Sequence, residues 1–198
     1  MHHDYIVEGQ AFRLRPYRKG DAEFTVALRT EPGNSKFLNS TSSSVEDQHS
    51  WFHTYISRQD DYYFVIERCS NHQAVGTIAL YNVDAASAEW GRWVLQDGSS
   101  AAIESTLLLY RFAFDILQLG EIYCRTIQHN IQVVSFHNSC GLKQTENFDQ
   151  TISLNGQNRR LTEHRLTKAD WPQVEQKLSL LSSRLARKLR KPSEGEVL

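Results

Sequence analysis

The stretch Trp93-Val94-Leu95-Gln96-Asp97-Gly98-Ser99-Ser100-Ala101-Ala102-Ile103-Glu104 reads as a strand end, a turn of small residues and a helix start. The pattern predicts a strand over 87–95, a break at 96–100 and a long helix over 101–117. Ile103, Leu107, Leu108, Tyr110, Phe112, Phe114 and Leu117 occupy nearly all sides of that helix, so it should be buried against a sheet. Gly120 ends it. Small residues at 98–102 let the backbone approach a ligand closely. The free amides of a helix N-terminus carry the positive end of its dipole. Together they describe a phosphate or pyrophosphate site. An ordinary strand-to-helix turn is the competing reading. Asp97 opposes an anion, so amides and dipole must dominate.

Working upstream, two β-branched and aromatic runs at 62–68 and 74–81 flank the turn Ser70-Asn71-His72. With 87–95 they predict a consecutive antiparallel meander. A helix over 44–56 begins with the capping pattern Ser44-Val45-Glu46-Asp47. Before it come the polar loop 39–44, the break Glu31-Pro32-Gly33-Asn34, a helix capped by Asp21 and running to about Thr30, and a short strand over 12–15. Downstream, 121–127 is a strand, and Asn130 can cap a helix over 131–139 that Gly141 stops. Two strands, 142 to about 152 and 159–167, are joined by the hairpin turn Asn155-Gly156.

The chain has 198 residues, enough for one well-buried core. At 40% hydrophobic and 23% charged it is composed like a globular domain, not a disordered or disulfide-scaffold chain. A net charge of −1 gives no pull toward nucleic acid or an anionic membrane. Three cysteines without Cys-x-x-Cys spacing argue for buried free thiols in a reducing compartment. The N-terminus lacks a basic region followed by an apolar run, and the apolar runs are too short for a bilayer. The expectation is a cytoplasmic, soluble protein. The histidines show no metal-ligand spacing, so no metal is expected.

Two regions are expected: a domain over 1–171 and an amphipathic basic helix with a tail over 172–198. Val174, Leu178, Leu181, Leu185 and Leu189 share one helical face, and residues 177–191 hold six basic and no acidic side chains. Without an aromatic anchor this is a weak membrane signal. Packing on the domain or in a homodimer interface suits it better.

The order of these motifs resembles the GCN5-related N-acetyltransferase (GNAT) superfamily. Gly98-x-Ser100, followed by Ala102 and Glu104, is similar to the family's Gly-x-Gly loop with a polar residue one turn into the helix. Here Ser replaces the second Gly, and its Cβ narrows the approach. Phe12-Arg-Leu-Arg-Pro and Val75-Gly76-Thr77-Ile78 resemble the family's first and third strands. Asn130-x-x-Val133-Val134-x-Phe136-His137-x-x-x-Gly141-Leu142 tracks its Asn…Tyr-x-x-x-Gly-Phe signature. Leu166-Thr-Lys-Ala-Asp-Trp171 is similar to the closing segment of the RimJ/RimL branch. The 44–56 helix, the Tyr-Tyr-Phe-Val-Ile strand and Ala88-Glu89-Trp90-Gly91 look most like nucleotide-linked aminosugar acetyltransferases. The resemblance spans about 11–171.

It implies an α/β fold of the α+β kind, a central mostly antiparallel sheet with helices on both faces. It also implies an enzyme that moves an acetyl group from acetyl-CoA to a small primary amine. The best-matched acceptor is a nucleotide-linked amino sugar; a protein N-terminus or another small amine is the alternative. Backbone groups of Trp93, Val94 and Leu95 would grip the pantetheine and polarise the thioester. Gly98, Ser99, Ser100, Ala101 and Ala102 would hold the pyrophosphate, and Asn130 would touch CoA. Glu89 would be the general base, or else a structural carboxylate paired with Arg92 or Arg125. His137 stands where the family usually has a Tyr that protonates the thiolate, with helix packing as its other reading. His49, Trp51 and the loop 40–44 fall where the acceptor would lie.

Two other classes compete. Gly98-x-Ser100-x-Ala102 resembles a nucleophile elbow, with Ser100 as nucleophile and His164 as base. The antiparallel meander and the missing oxyanion-loop glycines oppose this. A catalytically degenerate acyl-CoA-binding module is the non-enzymatic reading of the Gly-to-Ser change and the absent Tyr.

Overall fold

The computed structural model describes residues 3–38 and 42–190. The chain opens with β1 (Val7–Glu8), β2 (Phe12–Pro16), α1 (Ala22–Thr30), α2 (Pro32–Ser35) and α3 (Val45–Tyr55). The meander β3 (Asp61–Arg68), β4 (Ala74–Tyr81) and β5 (Ser87–Leu95) leads into α4 (Ala102–Arg111). Then follow β6 (Glu121–Ile127), α5 (Ile131–Ser139), β7 (Lys143–Gln144), β8 (Thr151–Leu154), β9 (Gln157–Thr167) and α6 (Trp171–Arg190). The strands form one nine-stranded sheet in the order β1-β2-β3-β4-β5-β6-β9-β7, with β8 beside β9. Every pairing is antiparallel except β5 with β6. This is the mixed α/β, mostly antiparallel architecture expected from the sequence.

Alternation along the central strands sends side chains to two cores. Phe64, Ile66, Ile78, Leu80 and Trp90 pack with α4 residues Leu108 and Tyr110 and with Leu178 of α6. On the opposite face, Tyr63, Val65 and Ala79 pack with Tyr17, Tyr55, Trp51 and Phe52. The helix after the small-residue turn is nearly all buried, as its apolar girth predicts, but it is not uniform. Phe112–Ile116 forms a π turn, in which the Leu117 amide donates to Phe112 O at 2.9 Å.

Two caps form as read. The Ser44 hydroxyl accepts from the Asp47 amide at 3.1 Å, and Asn130 Oδ1 accepts from Val133 N at 3.4 Å. Asp21 does not cap α1 with its side chain. Its carboxylate instead receives the Arg15 guanidinium at 2.7 and 2.8 Å and the Arg18 amide at 2.7 Å. A half-buried arginine six residues upstream on β2 outcompetes the helix amides for that charge. The strand expected over 142–152 reduces to β7 and β8 with irregular chain between them.

α6 lies against α4, and Arg111 donates to Glu175 at 2.9 Å and to Ser179 at 3.1 Å. Its buried line is Trp171, Val174, Leu178, Ser182 and Ala186. Leu181 and Leu185 flank it half-buried, and Leu189 is exposed. The leucine stripe read from the sequence is thus rotated: the buried line runs through the small Ser182 and Ala186. Residues 191–198 of the expected tail lie outside the described residues. Among the described residues no helix is long and apolar enough to cross a membrane. Cys69, Cys124 and Cys140 are all free thiols.

Candidate active site

β5 pairs with β6 only over Ser87–Glu89 against Glu121–Tyr123. Beyond Glu89 the two strands diverge. A cleft of about 670 Å³ lies at the far end of β5. Trp93, Val94 and Leu95 form its floor, Gly98, Ser99 and Ala102 one rim, and Asn130, Val133 and Phe136 of α5 another. Glu31, Pro32, Gly33, Asn34, Phe37 and Leu38 form a further wall, and Gln96, Asp97 and Gln132 complete the lining. The sequence reading saw only a chain break there. The short helix α2 supplies this wall, and Asn34 Nδ2 fastens it by donating to Leu95 O at 3.2 Å. The only signal was position: a polar Pro-Gly break shortly before the meander.

Gly98 has φ +71°, the left-handed region that favours glycine, and a Cβ there would meet no protein atom within 4 Å. Gly98 itself lines the cleft. The Ser99 amide donates to Gln96 O at 3.0 Å, and the Ser99 hydroxyl accepts from Ala101 N at 3.3 Å. The Ser105 amide donates to Ala101 O at 2.9 Å. The amides of Ala102, Ile103 and Glu104 therefore head the helix, with its positive dipole end beside the cleft. Ala101 is fully buried in the core, and Ser100 does not line the cleft.

Glu104 does not face the cleft either. Its carboxylate is buried and accepts the backbone amides of Gln10, Ala11 at 3.1 Å and Phe12 at 3.2 Å. It ties α4 to the first long strand. The polar residue of the loop motif is therefore a structural anchor in this chain.

Glu89 projects from β5 on the face opposite α4. The Tyr81 hydroxyl and the Asn82 amide each donate to it at 3.3 Å, and Arg125 lies 3.5 Å away. Arg92 turns to Asp61 instead. Burial, then the neighbouring Glu89, holds the Tyr81 phenol well above its ordinary pKa, so it stays protonated. Arg125 also donates to Glu163 at 3.0 Å, and Arg165 donates to the same carboxylate at 2.9 Å. The Tyr123 ring lies between the two guanidinium groups, at 4.9 and 5.1 Å.

His137 is 2% exposed, with its ring among Trp90, Trp93, Phe136 and His164. Burial, aided by His164, pushes its pKa down to about 3. The ring is neutral near pH 7, which counts against the proton-donor role expected of it. Trp51 stacks on Tyr55 at 5.2 Å within the second core, beside Arg92. His49 is half-buried on the same helix and lines no part of the cleft. Residues 39–41 of the polar loop lie outside the described residues. His164 Nε2 lies 3.1 Å from Asn138 Oδ1 inside the fold, so that nitrogen is not engaged with Ser100. Among the described residues no cluster of three or more His, Cys, Asp or Glu could hold a metal.

The structure thus brings Trp93, Val94, Leu95, Gly98, Ser99, Ala102 and Asn130 into one cleft. Glu89 stands apart on the β5 segment that leads to it.

Residues 12–143 match the model of the acetyltransferase (GNAT) domain family. No curated protein matches the chain. Among solved structures, apo FdhC, a nucleotide-linked sugar GNAT, superposes with a TM-score of 0.75 at 23% identity, covering 92% of this chain and 98% of FdhC. A GCN5-related N-acetyltransferase from Brucella melitensis gives 0.80 at 19%, with 98% and 90% covered. Spermidine N-acetyltransferase from Vibrio cholerae, in complex with CoA and spermine, gives 0.74 at 18%, with 83% and 99% covered. At these identities the likeness is one of fold.

Proposed function

The chain belongs to the GNAT acetyltransferase family, and we propose that it transfers an acetyl group from acetyl-CoA to the primary amine of a nucleotide-linked sugar. The observation that carries this reading is the cleft where β5 leaves β6, floored by Trp93–Leu95 and rimmed by the head of α4.

In this reading the helix-head amides of Ala102, Ile103 and Glu104 receive the pyrophosphate, and Gly98, whose own amide donates to Asp97 Oδ1 at 3.0 Å, leaves room for it. Asn130 and Phe136 flank the pantetheine arm. Backbone amides of Trp93–Leu95 polarise the thioester carbonyl, where negative charge develops during attack. Glu89 takes the proton from the acceptor ammonium, directly or through water; the freed amine bonds to the acetyl carbon, the C–S bond breaks, and coenzyme A leaves as a thiolate that takes its proton from water. Tyr81 and Asn82 hold that carboxylate in place. The neutral His137 shapes the wall formed with Trp90 and Trp93.

The charge on the Glu89 face supports this acceptor class. Asp61, Glu89 and Glu163 each have an arginine partner, from Arg92, Arg125 and Arg165. A polycationic amine needs free carboxylates, and here these three are engaged. The half-buried Tyr123 ring, beside Arg125 and Arg165, offers a face on which a planar nucleotide base stacks.

The test is release of CoA thiol from acetyl-CoA with a panel of amines. Turnover with nucleotide-linked amino sugars and little with spermidine supports the assignment. The reverse preference would contradict it.

A further inference from the structure

One residue of β5 breaks the ladder it shares with β4. Ala79 pairs with Gly91, but the next pair is Thr77 with Val94, so Ile78 faces both Arg92 and Trp93. This is a one-residue bulge. Arg92 lies at φ +47°, a conformation disfavoured for any residue with a Cβ. The bulge also shifts side-chain parity. Without it Arg92 would enter the apolar α4 face and Trp93 would leave it. With it, Trp93 packs beside Trp90 and donates from Nε1 to Ser105 Oγ at 3.3 Å.

The Arg92 side chain is fixed from every side. Its two terminal nitrogens donate to both Asp61 oxygens, at 2.7 and 2.9 Å. The Asp61 side chain is 3% exposed and also receives Arg58 at 3.2 Å. The guanidinium lies over Tyr81 at 4.6 Å, Tyr63 at 5.6 Å and Trp51 at 5.7 Å. The Thr77 hydroxyl donates to Arg92 O at 3.0 Å. A forked, bidentate pair fixes direction as well as distance.

We propose that Asp61 and Arg92 are positioning residues for acyl transfer: their ion pair holds the left-handed turn that aims the following backbone, Trp93–Leu95, at the thioester. The inference rests on the proposed function, which places the thioester on that backbone. The pair touches no reacting atom. It acts through the bulge, and through the Tyr81 ring it also steadies the hydroxyl that holds Glu89. Loosening it should misdirect the amides while leaving the helix-head and α5 portions of the cleft unchanged. A misplacement of about 1 Å at reacting groups costs roughly 10²-fold in rate.

The experiment is infrared difference spectroscopy of carbonyl-labelled acetyl-CoA bound to parent, Asp61→Ala and Arg92→Gly proteins, with CoA affinity measured by calorimetry. The parent should shift the thioester carbonyl stretch to lower frequency than in free acetyl-CoA. Asp61→Ala should return it toward the free value while still binding CoA, and kcat should fall about 10²-fold with little change in KM for acetyl-CoA. Arg92→Gly should keep part of the shift, because glycine adopts the left-handed turn unaided. If Asp61→Ala does not fold, Arg92→Lys, charged but unable to fork, replaces it in the comparison. A parent shift that Asp61→Ala leaves intact would overturn this inference alone. A parent that binds acetyl-CoA without any shift would overturn the thioester assignment and this inference with it.

Discussion

The Glu89 carboxylate lies 3.5 Å from the Arg125 guanidinium, on the face of the sheet opposite α4. That pairing and the Tyr81 and Asn82 contacts hold the carboxylate in a fixed orientation, which is what a base for an ammonium substrate requires. Glu89→Gln should lower kcat/KM by about 10²–10⁴. The loss should be greatest at low pH, where more of the amine is protonated. Steady-state kinetics across pH checks this, and calorimetry should find acetyl-CoA binding unchanged. Parent-like kinetics at every pH would remove Glu89 from the reaction.

Glu104→Ala should act on stability and not on the ligand. The change leaves three backbone amides of the Gln10–Phe12 segment without their acceptor. The expected cost is about 3 kcal/mol, read by chemical denaturation. Affinity for CoA should stay at the parent value in the folded fraction. A selective loss of CoA binding would mean that Glu104 acts on the pyrophosphate site and not only on the fold.

His137 gives a pH dependence with a definite sign. Its folded pKa of about 3 is below the ordinary 6.5, so the unfolded chain takes up this proton first as pH falls. Stability from this group is complete above the unfolded value and declines as pH drops toward the folded one. His137→Phe should remove that term. The variant should gain stability relative to the parent between about pH 6.5 and pH 4, measured as the difference of their denaturation midpoints. A difference that does not change with pH would mean that the ring is not buried as a neutral group.

The order of strands and helices was legible because each central strand carries two alternating faces and α4 is apolar around its girth. The cleft floor and rim were legible for a related reason, since a strand, small residues and a helix in succession place backbone amides whatever the side chains are. Three features were hidden. The bulge at Arg92 depends on a partner, Asp61, thirty-one residues away in the chain. Glu104 occupies a motif position but answers to amides of a distant strand. The buried line of α6 runs through the small Ser182 and Ala186 while the more hydrophobic Leu181 and Leu185 lie half-buried beside it, a choice set by the distant segments it packs on.

That last feature predicts overpacking. Ser182 is 1% exposed on the line facing the domain. Ser182→Leu should destabilise by about 1–3 kcal/mol even though it adds hydrophobicity. Leu189→Ser, at an exposed position of the same helix, should change stability by less than about 0.5 kcal/mol. Thermal unfolding of both variants reads the contrast. Equal effects would mean that the helix does not pack through this line.

The most direct measurement is the shift in melting temperature that acetyl-CoA produces in the parent, Gly98→Val and Gly156→Val. Both glycines are left-handed, at φ +71° and +75°, and at both a Cβ meets no protein atom within 4 Å. The two substitutions therefore share the same backbone strain, and only Gly98 borders the cleft. Ligand at a hundredfold excess over Kd stabilises the native state by about 2.7 kcal/mol. The account predicts that shift in the parent and in Gly156→Val, and its loss in Gly98→Val. No shift in the parent, or an equal shift in all three proteins, would contradict it.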